Sequence, residues 1–199
     1  MARMSWLATR KCVADGVVLL RWRAECPECC AQVIRIFATS RPGRDCTVLA
    51  TWDKAGRVGQ TGIVSCFAFN PDRSGMFAAG AYDGSVALYD VNTGEQQLLM
   101  HGHSGGVTHV RFSPDGNYLY TGARRDDRVL CWDVRASAGV VYALHRGSEC
   151  TNQRLGFDIE PGGRHLLAGG TVRRLGHAGL TELTALHARS RAGWARSRV

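Results

Sequence analysis

His103, Thr121 and Asp126 are the residue types of an acyl-transfer triad, with a hydroxyl to attack, an imidazole to take its proton and a carboxylate to orient the ring. The same three types, with an indole, also form a purely structural chain of hydrogen bonds, in which each buried polar group satisfies the next. The only cysteine cluster, Cys26-Pro27-Glu28-Cys29-Cys30, could offer thiolates to zinc. A tetrahedral site needs a second pair at suitable spacing, and none follows, so no metal and no other cofactor is expected.

A second chemistry is carried by arginines placed where turns are expected. Arg41 and Arg44 flank Pro42-Gly43, Arg124 and Arg125 precede Asp126-Asp127-Arg128, and Arg154 follows Thr151-Asn152-Gln153. Guanidinium groups on loops bind phosphates and stack on splayed bases of single-stranded RNA. The plainer alternative pairs them with Asp45, Asp126, Asp127 or Glu149 on a solvated face.

These residues must be positioned by short strands. Ser65-Cys66-Phe67-Ala68-Phe69-Asn70-Pro71-Asp72 lies over Thr108-His109-Val110-Arg111-Phe112-Ser113-Pro114-Asp115 at an offset of 43, and Leu88-Tyr89-Asp90-Val91 lies over Cys131-Trp132-Asp133-Val134 at the same offset. A third copy begins at Gly156-Phe157-Asp158-Ile159. A period of 40–45 residues is the sequence sign of propeller blades. In the clearest copy the strands are Val107 to Phe112, Tyr118 to Ala123, Val129 to Val134 and Val140 to Leu144, with a turn at Pro114-Asp115-Gly116-Asn117. Gly102-His103 before this unit and Trp132-Asp133 at its end are the signature of a WD repeat. That context favours the structural chain: His103, Thr121, Asp126, Trp132 and Asp133 are expected to brace the blade, not to catalyse.

The preceding copy is degenerate, with Gly59-Gln60 near the place of Gly-His and Tyr89 in that of Trp, although Asp83-Gly84 keeps the hairpin turn. Upstream of it, Val33 to Phe37 alternates like a third strand and Cys46 to Trp52 like an outer one, while the inner part of that blade reads as missing. The fold class expected is all-β: an incomplete WD-repeat β-propeller over residues 33–171, about two whole blades plus partial ones. Residues 1–32 show no blade pattern, and residues 172–199 read as an Arg/Ala/Gly-rich tail without alternation, as from another reading frame or an alternative last exon. Both ends are expected to be irregular or weakly helical.

A net charge of +8 suggests nucleic acid, but residues 33–171 hold fourteen basic against thirteen acidic side chains, so the excess lies in the two ends. Binding of a polyanion by the folded part must come from a local patch. No signal peptide or membrane-spanning run is evident, and the scattered cysteines fit a reducing cytosolic or nuclear compartment. Cys66 and Cys131 are expected as buried thiols in strands.

Ser40-Arg41-Pro42-Gly43-Arg44-Asp45-Cys46, Gly59-Gln60-Thr61-Gly62-Ile63-Val64-Ser65-Cys66, Gly122-Ala123-Arg124, Leu130-Cys131-Trp132-Asp133 and Thr151-Asn152-Gln153-Arg154 resemble the telomerase Cajal body protein family over residues 33–171. The resemblance implies a non-enzymatic propeller that recognises the CAB-box loop of small Cajal body RNAs, telomerase RNA among them, and directs them to Cajal bodies in the nucleus. It further implies dyskerin-type ribonucleoproteins and coilin as partners, and a cytosolic chaperonin for folding. An unclosed set of blades exposes apolar faces and strand edges, so poor solubility or a bound partner is expected, with cytosolic retention if the chain fails to fold. The alternatives are a generic WD-repeat protein adaptor and a truncated product without function.

Overall fold

The computed structural model describes residues 12–14, 17–23, 32–38, 46–53, 58–72, 75–136, 139–146, 152–169 and 179–182. Every regular element among them is a β-strand. The first sheet holds β1 (Cys12–Ala14), β2 (Val17–Arg23), β3 (Gln32–Ala38) and β4 (Thr47–Ala50), in that order and antiparallel. A short ladder of β5 (Trp52–Asp53) and β6 (Val58–Gly59) leads to the second sheet. There β7 (Val64–Phe69), β8 (Met76–Ala81), β9 (Ser85–Asp90) and β10 (Gln96–His101) pair consecutively. The third sheet repeats the plan with β11 (Val107–Phe112), β12 (Tyr118–Ala123), β13 (Arg128–Asp133) and β14 (Val140–His145). The fourth comprises β15 (Phe157–Ile159), β16 (His165–Ala168) and β17 (Gly179–Glu182).

Three four-stranded blades and a fourth of three described strands stand side by side, so the architecture is an incomplete WD-repeat propeller. Four expectations from the sequence are corrected. The inner part of the first blade is not missing, because β1 and β2 supply it, with Leu19 paired to Ile36 and Trp22 to Val33. Nor does the fourth blade stop at its second strand, since β17 pairs with β16 from Ala168↔Gly179 to His165↔Glu182. The ends, expected to be irregular or weakly helical, are strands wherever they are described. The outer strand expected from Cys46 to Trp52 ends at Ala50, and Trp52 pairs instead with Gly59.

The apolar cores lie between blades. Because successive strand residues face opposite ways, one strand serves two cores. On β8, Phe77 and Ala79 pack with Ile34, Ile36 and Leu49 of the first blade, while Ala78 faces the third. On β13, Leu130 and Trp132 pack toward the second blade, with Met100 and Leu88, and Val129 and Cys131 toward the fourth, with Phe157 and Leu166. Strands buried on both faces read as nearly continuous apolar runs, as Ser85-Val86-Ala87-Leu88-Tyr89 does. Glycine allows the blades to approach: a Cβ on Gly80 would meet Val107 at 2.6 Å, and one on Gly122 would meet Phe157 at 3.1 Å.

The thiols obey this packing. Cys66 and Cys131 are buried and Cys46 is half-buried. Burial pushes the Cys131 thiol up to about 12, against hydrogen bonds from Tyr142 and Tyr120 that lower it. A thiol so protonated is a poor nucleophile. Alkylation of the folded chain should therefore label Cys46 and spare Cys66 and Cys131 until denaturant is added. Native labelling of Cys131 at the rate of Cys46, read by peptide mass spectrometry, would contradict this packing.

Candidate nucleic-acid interface

Within the third blade, Trp132 Nε1 lies 2.8 Å from Thr121 Oγ1, which lies 2.7 Å from His103 Nε2, and His103 Nδ1 lies 3.0 Å from Asp126 Oδ2. The proton order follows from the two ends. An indole can only donate and an ionised carboxylate can only accept. Trp132 thus donates to Thr121, Thr121 to His103 Nε2, and the Nδ1–H tautomer of His103 to Asp126. The Thr121 hydroxyl is fully buried, and His103 and Asp126 side chains are exposed by 0% and 1%, so no path brings a substrate to it. Asp133 stands apart, at the far end of β13, where it accepts from Arg135 Nε at 3.1 Å and Nη2 at 3.1 Å.

Burial opposes ionisation of Asp126, but hydrogen bonds from Arg128 and His103 outweigh it and hold the carboxyl at about 2. Burial also lowers His103 below its usual 6.5, despite the bond and charge of Asp126, which keeps the ring neutral. Both groups bind protons more weakly folded than unfolded. Stability contributed by His103 is complete above pH 6.5 and declines as the pH falls below it, and that of Asp126 declines below 3.8 toward 2. In urea titrations across pH 8 to 5, His103→Gln should flatten the decline seen in the wild type. An unchanged slope would show that His103 is not the group responsible.

The second blade reaches the same end by other side chains. Gln60, fully buried, donates from Nε2 to Ala79 O at 3.0 Å and to Ser85 Oγ at 3.1 Å, and its Oε1 accepts from Tyr89 OH at 3.1 Å. Ala79 has no hydroxyl where the third blade has Thr121, and the phenol of Tyr89 makes the bond itself. Asp83 closes the chain by accepting from Ser85 N at 2.9 Å, Gly62 N at 2.7 Å and Thr61 Oγ1 at 3.0 Å. The copy that reads as degenerate is therefore fully braced.

These chains fix the turns at one end of the blades, and there the arginines gather. Arg124 N donates to Gly106 O at 2.9 Å and Tyr82 N to Ile63 O at 2.9 Å, which ties the β12–β13 and β8–β9 turns to the linkers between blades. The Arg124 guanidinium lies 5.1 Å from the centroid of the Tyr82 ring and that of Arg154 5.9 Å, with Arg154 Nη2 donating to Tyr82 OH. Three blades thus contribute to one cluster. Among the described residues neither guanidinium meets a carboxylate, and the Nε of each is buried without an acceptor. Asp126 is instead taken by Arg128, and Asp127 by His145 at 3.2 Å.

Arg125 is exposed and has φ +53°, a left-handed conformation unfavourable for a side chain with Cβ. Arg41 and Arg44 lie outside the described residues, as does the Cys26–Cys30 cluster. Among the described residues no three His, Cys, Asp or Glu side chains form a metal-binding group. Tyr82 and Arg146 were not visible as site residues in the sequence. The sole hint was the place of Tyr82, directly before the Asp83-Gly84 turn.

At the opposite end, the turns between first and second strands carry Asp72, Asp115 and Glu160, and that after β9 carries Glu95. The arginine cluster and these carboxylates give the two rims opposite character.

Comparison with known proteins agrees with this architecture. The model of the WD domain, G-beta repeat, matches residues 52–90 and 94–133. Over 140 residues, 70% of this chain, the sequence is 45% identical to Telomerase Cajal body protein 1 of Mus musculus and 46% identical to that of Homo sapiens, covering 26% and 25% of those proteins. Over 130 residues, 62% of the chain, it is 42% identical to Guanine nucleotide-binding protein negative regulator 1 of Schizosaccharomyces pombe, covering 32% of it. The chain spans about a quarter of the length of the mammalian relatives. The chain carries WD repeats on its second and third blades, and over 70% of its length it is similar to the telomerase Cajal body proteins.

Proposed function

We propose that this chain is a non-enzymatic scaffold whose arginine rim binds the single-stranded loop of a CAB-box RNA. Small Cajal body RNAs, including telomerase RNA, are the ligands this reading assigns, and delivery to Cajal bodies in the nucleus is the role. Dyskerin-type ribonucleoproteins and coilin would then be met as partners, and a cytosolic chaperonin would assist folding. The observation that carries the reading is the pair of guanidiniums on Tyr82, drawn from separate blades and paired with no described carboxylate. Two guanidiniums held together without a described carboxylate attract an anion, and RNA phosphates are one. Arg125 extends the same rim, and Arg41 and Arg44 complete the proposed set.

Fluorescence anisotropy of the full chain with a CAB-box hairpin and a loop-mutated hairpin tests specificity. The wild-type loop should bind more tightly, and equal affinity would reject specific recognition. The match to a fission-yeast protein with a different name supports a second reading, a WD-repeat adaptor that binds proteins at this rim. Co-purification of partners that survives RNase treatment would favour it.

A further inference from the structure

The β12–β13 turn carries Arg124 and Arg125 in a backbone conformation that does not sustain itself. Arg125 is, among the described residues other than glycine, the one with positive φ. Strained turns persist where their surroundings over-determine them. Beside the bond from Arg124 N to Gly106 O, the outer side of the turn is constrained by two consecutive residues at the end of the outermost strand. Arg146 N donates to Asp127 O at 2.8 Å, and Arg146 Nη2 donates to Asp126 O at 2.8 Å and to Ala123 O at 3.2 Å. His145 Nδ1 lies 3.2 Å from Asp127 Oδ2. One guanidinium nitrogen therefore bridges the carbonyls immediately before and after the Arg124-Arg125 pair.

We propose that Arg146 is a positioning residue, which clamps the turn so that Arg124 and Arg125 are presented to RNA already ordered. This rests on the reading of the rim as an RNA surface, and adds that the rim is pre-organised by a side chain that does not itself touch phosphate. The chemistry of the clamp supports the assignment. Its Nε and Nη1 are buried without acceptors, so the hydrogen bonds of the guanidinium are concentrated in Nη2, on the two carbonyls that flank the pair. Burial also holds the group below its usual range, offset by the charges of Asp126 and Asp127. Asp126 fixes the turn from the opposite side through His103 and Arg128, so the Arg124-Arg125 pair is gripped from the blade's inner and outer edges.

The test uses Arg146→Met, which keeps the apolar stem, and Arg146→Lys, which restores a donor. Hydrogen exchange of the full chain, read by mass spectrometry, should quicken in residues 123–127 of Arg146→Met while β7–β10 stay at wild-type rates. Binding of a single-stranded RNA hairpin should weaken about tenfold, since two long side chains must then be ordered on binding. The dependence of affinity on salt should not change, because no phosphate contact is removed. Arg146→Lys should recover part of both effects.

Wild-type exchange in the turn of Arg146→Met, or wild-type affinity with a quickened turn, would overturn the proposal. A shallower salt dependence would overturn it too, by making Arg146 a direct phosphate ligand. Exchange quickened equally in every blade would reduce Arg146 to ordinary packing. A wild-type chain that binds no RNA would sink the functional reading alone, and the exchange contrast would still judge the clamp.

Discussion

Trp132→Ala is expected to lower the unfolding free energy of the full chain by about 3–5 kcal/mol, the cost of emptying a large buried aromatic site. The indole is 2% exposed, packs in the core between second and third blades, and lies where a Cβ on Gly102 would come within 2.8 Å of it. Removal also leaves the buried Thr121 hydroxyl without the donor that orients it toward His103. Trp132→Phe separates the two effects. It keeps most of the ring volume and loses the N–H, so about 1 kcal/mol is expected. Urea unfolding followed by circular dichroism gives both values. Equal losses for Ala and Phe would show that the hydrogen bond, not the packing, dominates.

The second large effect concerns the rim. Arg124→Gln with Arg154→Gln should weaken binding of a single-stranded RNA loop roughly ten- to a hundredfold, the range for losing two charged contacts. If each arginine neutralises one phosphate, the slope of log affinity against log salt should become shallower by about 1.4. Stability should fall by about 1–3 kcal/mol, since both stacking contacts on Tyr82 and the Arg154 hydrogen bond are lost, but no ion pair among the described residues is. Unaltered RNA affinity in this double variant would remove the cluster from the binding surface and leave the ends of the chain as the source of any binding.

What was legible in the sequence follows from which interactions are local. The 43-residue offset shows itself because strand ends and turns need particular residues, such as Pro114-Asp115-Gly116 and Trp132-Asp133, wherever they recur. His103, Thr121, Asp126 and Trp132 were readable because their types are specific and their blade was intact; Asp133 was grouped with them by adjacency, yet it points its bonds at Arg135. The bracing of the second blade was hidden because Gln60 and Tyr89 make equivalent bonds with different groups. Strand β2 was missed because Val17-Val18-Leu19-Leu20 is apolar throughout and has no alternation to count, although Asp15-Gly16 beside it is a hairpin signal. Tyr82 and Arg154 meet across 72 positions, and no local pattern encodes that encounter. Arg146 escaped notice for a related reason: its partners are backbone carbonyls, which every residue has.

RNA is proposed to meet this protein at the rim where Tyr82, Arg124 and Arg154 converge. Ultraviolet cross-linking of the full chain to a single-stranded RNA loop, with adducts mapped by mass spectrometry, tests it in one step. Adducts are expected on Tyr82 and on peptides holding Arg124-Arg125 and Arg154. Adducts confined to the turns around Asp72 and Asp115 on the opposite rim, or to residues 172–199, would contradict it.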